Sequence, residues 1–236
     1  MVVLLSFGPQ WWIGDATEPA RPPECLTSFA AGLHLTSVLT EHQGLSHGMQ
    51  VSLTPRGAYA LFGLPMHQLA GSRVPLECLL GKDSDRLVEC LATAQGWENR
   101  FVLLERTLAR RLRESASPTP GVVWACARLT ATHGGVPVGE LIAELGWSPK
   151  RLVRRFREEV GVSPKSHARL LRFERAATLL ERPDRPGLAV VAAGCGYYDQ
   201  SHLTNEFRRI TGTTPAVYAQ SVEVAPFLQD GAPPLP

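Results

Sequence analysis

Apolar residues fall into two different patterns along this chain, and the change occurs near residue 55. Before it, short apolar runs at Val2–Phe7, Leu33–Leu39 and Met49–Leu53 are separated by glycine- and proline-rich stretches. Runs of this length with turn residues between them predict β-strands. After Pro55 the apolar positions recur every three or four residues, which predicts helices. Leu87, Leu91 and Ala94 share one helical face, and Trp97, Phe101, Leu104, Leu108 and Leu112 form a longer stripe. Core packing is the first reading of that stripe, with a dimer seam as the second.

Ser115-Ala-Ser-Pro-Thr-Pro-Gly121 is small, polar and rich in proline, so it predicts a linker. Two units follow, residues 1–117 and 118–221, with residues 222–236 expected to be a flexible tail. The fold class expected is α+β, a mixed strand and helix unit followed by an all-α unit of about seven helices.

The second unit contains an internal repeat. Ala143, Gly146, Ser148, Leu152, Phe156, Arg157, Gly161, Ser163 and Pro164 return as Ala193, Gly196, Asp199, Leu203, Phe207, Arg208, Gly212, Thr214 and Pro215. The offset is 50 residues as far as the glycine and 51 after it, so the second turn is one residue longer. In the first copy Val138, Leu141, Ile142 and Leu145 line one face of a short helix. Gly146 suits a turn with positive φ, Ser148 suits an N-cap and Pro149 suits the first helical position. Ala143 is small where two helices would cross. Leu152, Phe156 and Val160 form the inner face of the next helix, whose outer face is basic. A bare helical hairpin would share this outline, but the duplication and the basic outer face favour a helix-turn-helix. Ser163-Pro164 then starts a long helix ending near Glu181, with Leu170, Phe173, Ala177 and Leu180 inside. At 1.5 Å per residue this rod is about 26 Å long. It could hold two recognition helices close to one DNA turn apart, about 34 Å.

Charge sharpens the picture. The whole chain carries 24 Lys+Arg against 22 Asp+Glu, a net of +2. Residues 1–117 hold 10 against 11, whereas residues 118–221 hold 14 against 9, a net of +5. Lys150, Arg151, Arg154, Arg155 and Arg157 crowd into eight residues. A solvated helix face explains such a cluster as well as a nucleic-acid partner does, so the cluster alone decides nothing. Five scattered cysteines without a Cys-x-x-Cys pair argue against a disulfide framework and point to a reducing cytoplasm. No apolar run is long enough for a membrane span. His34, His42 and His47 lack metal-ligand spacing, and no phosphate loop or Gly-x-Ser-x-Gly elbow occurs, so neither an enzyme nor a cofactor is indicated.

Residues Val138–Tyr218 resemble the AraC/XylS family of bacterial transcription regulators. The motifs that carry the likeness are Glu140-Leu-Ile-Ala-Glu-Leu-Gly-Trp-Ser148, Leu152-Val-Arg-Arg-Phe156, Gly161-Val-Ser-Pro164 and Arg172-Phe-Glu-Arg-Ala176. Gly196-Tyr-Tyr-Asp-Gln-Ser-His-Leu203 and Phe207-Arg-Arg-Ile-Thr-Gly-Thr-Thr-Pro215 complete them. Gln50–Gly57 and Leu61–Pro65 resemble a branch with an N-terminal sensory domain of unassigned ligand. Relatives in that branch carry more sequence ahead of the stretch like Met1–Phe7, so the first strands of such a domain are expected to be absent here.

The resemblance implies sequence-specific binding to double-stranded DNA and regulation, such as activation, of transcription. RNA polymerase, a small-molecule effector and a homodimer partner are implied with it. Carried across position by position, it implies that Lys150, Val153 and Arg154 meet base edges in the first unit. In the second unit those residues are Gln200, Ser201, His202, Thr204 and Asn205. Arg151, Arg155, Arg157, Lys165 and Arg208 are expected on phosphates. Asn205 stands where the family usually has Arg. Two other classes stay in view, a DNA-repair alkyl acceptor fused to this domain and a ligand-binding module with weak DNA binding. The first would need a cysteine zinc cluster near the start, which this sequence lacks.

Overall fold

Valine and leucine alternate between sheet faces in the first strand, β1 (Val2–Ser6), which buries Val3 and Leu5. In the computed structural model, which describes residues 1–15, 20–44, 47–113 and 117–224, this strand is central to a four-stranded antiparallel sheet. Its neighbours are β4 (Phe29–Ala31) and β6 (Gly48–Ser52), and β7 (Arg73–Pro75) lies beyond β4. A second antiparallel sheet holds β2 (Trp11–Asp15) between β3 (Glu24–Leu26) and β5 (Val38–His42). Arg73 on β7 ties the sheets together, its guanidinium donating to Glu24 Oε2 at 2.9 Å and Oε1 at 3.3 Å.

The first sheet packs its inner face on helices. Thr54 caps α1 (Pro55–Phe62), accepting from Gly57 N, and Met66–Gln68 form one 3-10 turn. Helices α2 (Leu76–Leu80), α3 (Asp83–Thr93) and α4 (Gly96–Arg113) follow. Val3, Leu5, Met49, Leu76, Leu91 and Leu104 meet in this core.

Two expectations for this unit need correction, and four strands were not predicted at all. The run Leu33–Leu39 is not one strand, since only Val38 and Leu39 join a ladder, in β5. Its first half serves another purpose. Gly32 passes so close to the Leu69 carbonyl that a Cβ would collide with it, Leu33 packs on the core of the next unit, and Ser37 N donates to Ile210 O at 2.6 Å. The strands β2, β3, β4 and β7 escape the apolar pattern, three of them because three residues are too few to show a period of two. The stripe on α4 is mostly outside the core, with Trp97, Phe101 and Leu112 exposed and only Leu104 buried.

The remaining seven helices are α5 (Pro120–Ala131), α6 (Val138–Leu145), α7 (Pro149–Val160), α8 (Pro164–Leu180), α9 (Leu188–Gly194), α10 (Gln200–Thr211) and α11 (Pro215–Val224). The start of the expected linker, Ser115 and Ala116, lies outside the described residues, as do residues 225–236 of the expected tail. Helix α11 itself runs past Gln220, to Val224 at the end of the described residues.

Two apolar cores form here. Leu129, Leu141, Leu152, Phe156 and Val160 centre the first, and Ala177, Leu180, Val191, Leu203 and Phe207 the second. Among the described residues they share none, although α8 contributes to both. Ala143 and Ala193 are exposed, so neither fills a helix crossing; Leu141 does that in the first unit, on the other side of α6.

Candidate nucleic-acid interface

Each repeat builds the same corner from the same local chemistry. Helix α6 ends on Gly146 at φ 62°, and the corresponding turn after α9 holds Gly196 at φ 73°. Glycine takes this left-handed backbone without steric cost. Ser148 then accepts from Arg151 N at 3.2 Å and Asp199 accepts from His202 N at 2.7 Å, capping α7 and α10.

Burial fixes how these two helices are rotated. Leu152, Phe156, Glu159 and Val160 face inward on α7, and Leu203, Glu206, Phe207 and Ile210 on α10. The opposite faces are therefore outward. On α7 that face carries Lys150, Val153, Arg154 and Arg157, all exposed, with exposed Arg151 beside it. The Arg151 guanidinium lies 4.4 Å from the centre of the Trp147 ring, a cation–π contact that holds it near the corner. Arg155 stands apart from this group. It is half-buried on the flank towards Tyr59 of α1, and its Nη1 bonds Glu158 Oε2 at 3.1 Å. Lys165 is exposed at the start of α8.

On α10 the outward residues are Gln200, Ser201, His202, Asn205 and Arg208, with Thr204 half-buried at the margin. Thr204 Oγ1 donates to Gln200 O at 2.9 Å, so its hydroxyl hydrogen is engaged by its own helix. His202 Nδ1 accepts from Tyr198 N at 3.3 Å, which puts the ring hydrogen of the neutral form on Nε2. By the repeat register Lys150 matches Ser201 and Arg154 matches Asn205, so the second unit has neutral groups where the first has cations.

Two features of this surface were invisible in the composition. Tyr198 is 93% exposed directly before the Asp199 cap, and it lies in the turn that is one residue longer in the second copy. The change of offset from 50 to 51 was the signal for it. Glu159 is buried on α7 and accepts from Thr119 N at 2.8 Å, so the start of α5 is anchored to the first corner's second helix. Glu158 and Glu159 side by side after a basic run give no such hint.

The N-terminal unit borders the same place. A cleft of about 810 Å³ is walled on one side by Lys150, Val153, Arg154 and Arg157, and on the other by Leu35, Pro65 and His67. Gly161 (φ 97°) comes close to the Met66 carbonyl at the end of α7, where a Cβ would sit 3.0 Å from that oxygen.

A helix-turn-helix domain family matches residues 141–221. The chain is 30% identical over 144 residues to an uncharacterised helix-turn-helix-type transcriptional regulator of Bacillus subtilis, YbfI, covering 58% of this chain and 49% of that protein. It is 31% identical over 142 residues to the helix-turn-helix-type transcriptional activator RhaR of Cronobacter sakazakii, covering 58% and 48%. The chain thus spans about half the length of these relatives. Across 95% of its length it is similar in fold to ToxT of Vibrio cholerae, with a TM-score of 0.50 at 10% identity and 90% of that chain covered.

Proposed function

Because this chain carries an AraC-type helix-turn-helix domain and has AraC/XylS-family regulators among its homologues, we propose that it is a sequence-specific DNA-binding regulator of transcription. The observation that carries the reading is the pair of capped helices, α7 and α10, with polar or basic outer faces and one connecting helix between them. Residues 118–221 form the DNA-binding unit and residues 1–117 the regulatory one.

In this reading Lys150, Val153 and Arg154 enter one major groove and Gln200, Ser201, His202, Thr204 and Asn205 the next. Arg154 can fork onto guanine O6 and N7, Asn205 or Gln200 can pair with adenine, and Val153 can meet a thymine methyl. His202 offers Nε2–H to a base acceptor, and Thr204 offers its methyl group. Arg151, Arg157, Lys165 and Arg208 bind phosphates and set the register. Arg155, turned towards α1 and paired with Glu158, contributes through the field of the surface more than by direct contact.

Family regulators act on transcription and generally catalyse nothing, so no enzyme activity is assigned. RNA polymerase is the proposed protein partner, in the bacterial cytoplasm. A small effector would have room in the cleft between α7 and Pro65–His67, which supports effector control of the first unit. The exposed stripe of α4 supports a homodimer.

A pair of variants tests the division between readers and clamps. Arg154→Ala should cost about 1–3 kcal/mol on the preferred duplex and relax selection at one base pair. Arg157→Ala should weaken all duplexes alike and lower the salt slope by about one phosphate's worth. Titrations on the preferred and on random duplexes across a salt series measure both. Equal losses on both duplexes for both variants would overturn the assignment.

A further inference from the structure

The two cores of the DNA-binding unit both draw on α8, and the middle of that helix reaches to both sides. Ala168 belongs to the first core, while Ala176, Ala177 and Leu180 belong to the second. Between them stand three arginines, of which Arg175 is exposed and Arg169 and Arg172 are half-buried. Arg172 Nη1 donates to Gly134 O at 2.9 Å, in the turn between α5 and α6 of the first unit. That turn cannot shift freely, because Gly134 (φ 76°) presses on the Ala168 carbonyl so closely that a Cβ would collide with it. The stem of the same arginine underlies the second unit's corner, where a Cβ on Gly196 would come within 3.5 Å of Arg172 Cδ. One side chain therefore touches both units.

Arg169, one turn earlier, forms an ion pair with Glu206 of α10, and their side chains are only 19% and 9% exposed. Glu206 follows Asn205 directly, so the ion pair that holds this carboxylate inward also fixes where the outer face of α10 points. An exposed pair would do little of this kind, but a buried one resists losing either member.

Resting on the two-helix reading of DNA, we propose that Arg169, Arg172 and Glu206 are positioning residues that fix the phase between the two recognition helices and thereby specify the spacing of the DNA half-sites. The chemical logic is that of a linked pair of binders. When one helix is seated, the second meets its groove at an effective concentration set by the connection, and a rigid connection concentrates it at one spacing only. A loosened joint spreads the same helix over several spacings and weakens the best one.

Two measurements on the full chain test this. The first needs no DNA. Spin labels on Glu140→Cys in α6 and Val190→Cys in α9, with half-buried Cys25 and exposed Cys78 and Cys90 replaced by Ser, report the distance between units. The parent should give one narrow distribution, and the double variant Arg172→Met/Glu206→Gln a broader one. An unchanged width overturns the proposal. The second uses a duplex enriched by the parent chain from a randomised pool, the same duplex with one base pair inserted between its halves, and a version with the second half scrambled. The parent should lose on the order of tenfold on the inserted duplex, as expected when linked sites no longer match their span. The variant should bind the original duplex more weakly, discriminate little against the insertion, and keep parent affinity for the scrambled duplex. A variant that keeps the parent's spacing preference overturns the proposal, and so does one that loses affinity for the scrambled duplex equally. If the distance broadens but the parent chain itself ignores the insertion, the two-helix reading of DNA fails while the mechanical joint stands.

Discussion

At the scale of single residues, Asn205 separates the two repeats most sharply. It occupies the outward position that Arg154 holds in the first copy, and Ser201 likewise faces out where the first copy has Lys150. Helix α10 thus carries its Arg residues at its far end, in Arg208 and Arg209, and in the proposed reading would draw less on the phosphate charge than α7. Asn205→Arg should tighten binding to most duplexes, steepen the salt dependence by about one phosphate's worth and shift preference in the second half-site towards guanine. Affinity across a salt series on duplexes randomised in that half measures all three. Unchanged affinity and unchanged base preference would show that position 205 does not meet DNA. This outward placement was legible from the repeat alone, because a period of 3.6 residues and three buried apolar anchors leave one choice of face. The Arg169–Glu206 pair was not legible, since a buried charge announces itself in sequence only through a partner 37 positions away.

At the scale of elements, helices declared themselves, whereas of the strands β1 and β6 did and the three-residue ones did not. Caps, corner glycines and apolar spacing in α6–α8 each mark one boundary, and the structure places Ser148, Gly146, Ser163 and Leu180 at those boundaries. The strands of the first unit owe their existence to partners distant in sequence, as β7 does to β4, and three residues carry too little pattern to predict that pairing. The α4 stripe taught a different lesson, because helical periodicity shows that a face is apolar without showing what covers it. Trp97, Phe101 and Val102 remain exposed, and two copies of α4 packed antiparallel would bring Glu98 near Arg113 and Glu105 near Arg106. Phe101→Asp should therefore lower the self-association of the chain at least tenfold without altering its fold, the size of effect expected for a charge buried at a helix seam. Sedimentation over a concentration series measures this. A parent chain that stays monomeric at every concentration would remove the dimer from the functional reading.

For the whole molecule, pH gives access to a contact between elements. His167 on α8 is 8% exposed with its ring 5.7 Å from that of Phe156 on α7, and burial pushes its pKa down from 6.5 to about 4. The folded protein therefore holds this imidazole neutral, while the unfolded chain takes up a proton once the pH drops below its ordinary value. The stability it contributes is complete above about pH 6.5 and is lost as pH falls towards 4, below which the folded form protonates as well. The loss at the acid end should be roughly 2–3 kcal/mol. Urea midpoints from pH 7 to pH 4 should fall more steeply for the parent than for His167→Met. Parallel profiles would mean that the imidazole remains hydrated in the fold.

The absence of any shared residue between the cores on either side of α8 has a consequence for how damage spreads. Cooperative opening follows continuous packing, so α6–α7 and α9–α11 should behave as separate foldons, each with its own free energy of opening. Phe207 is fully buried in the second core, and Phe207→Ala should cost about 3–5 kcal/mol there. Amide hydrogen exchange should then quicken throughout α9–α11 and stay slow in α6 and α7. A molecule built this way can lose its second reader to mutation and keep its first, so each corner is open to independent change over evolutionary time.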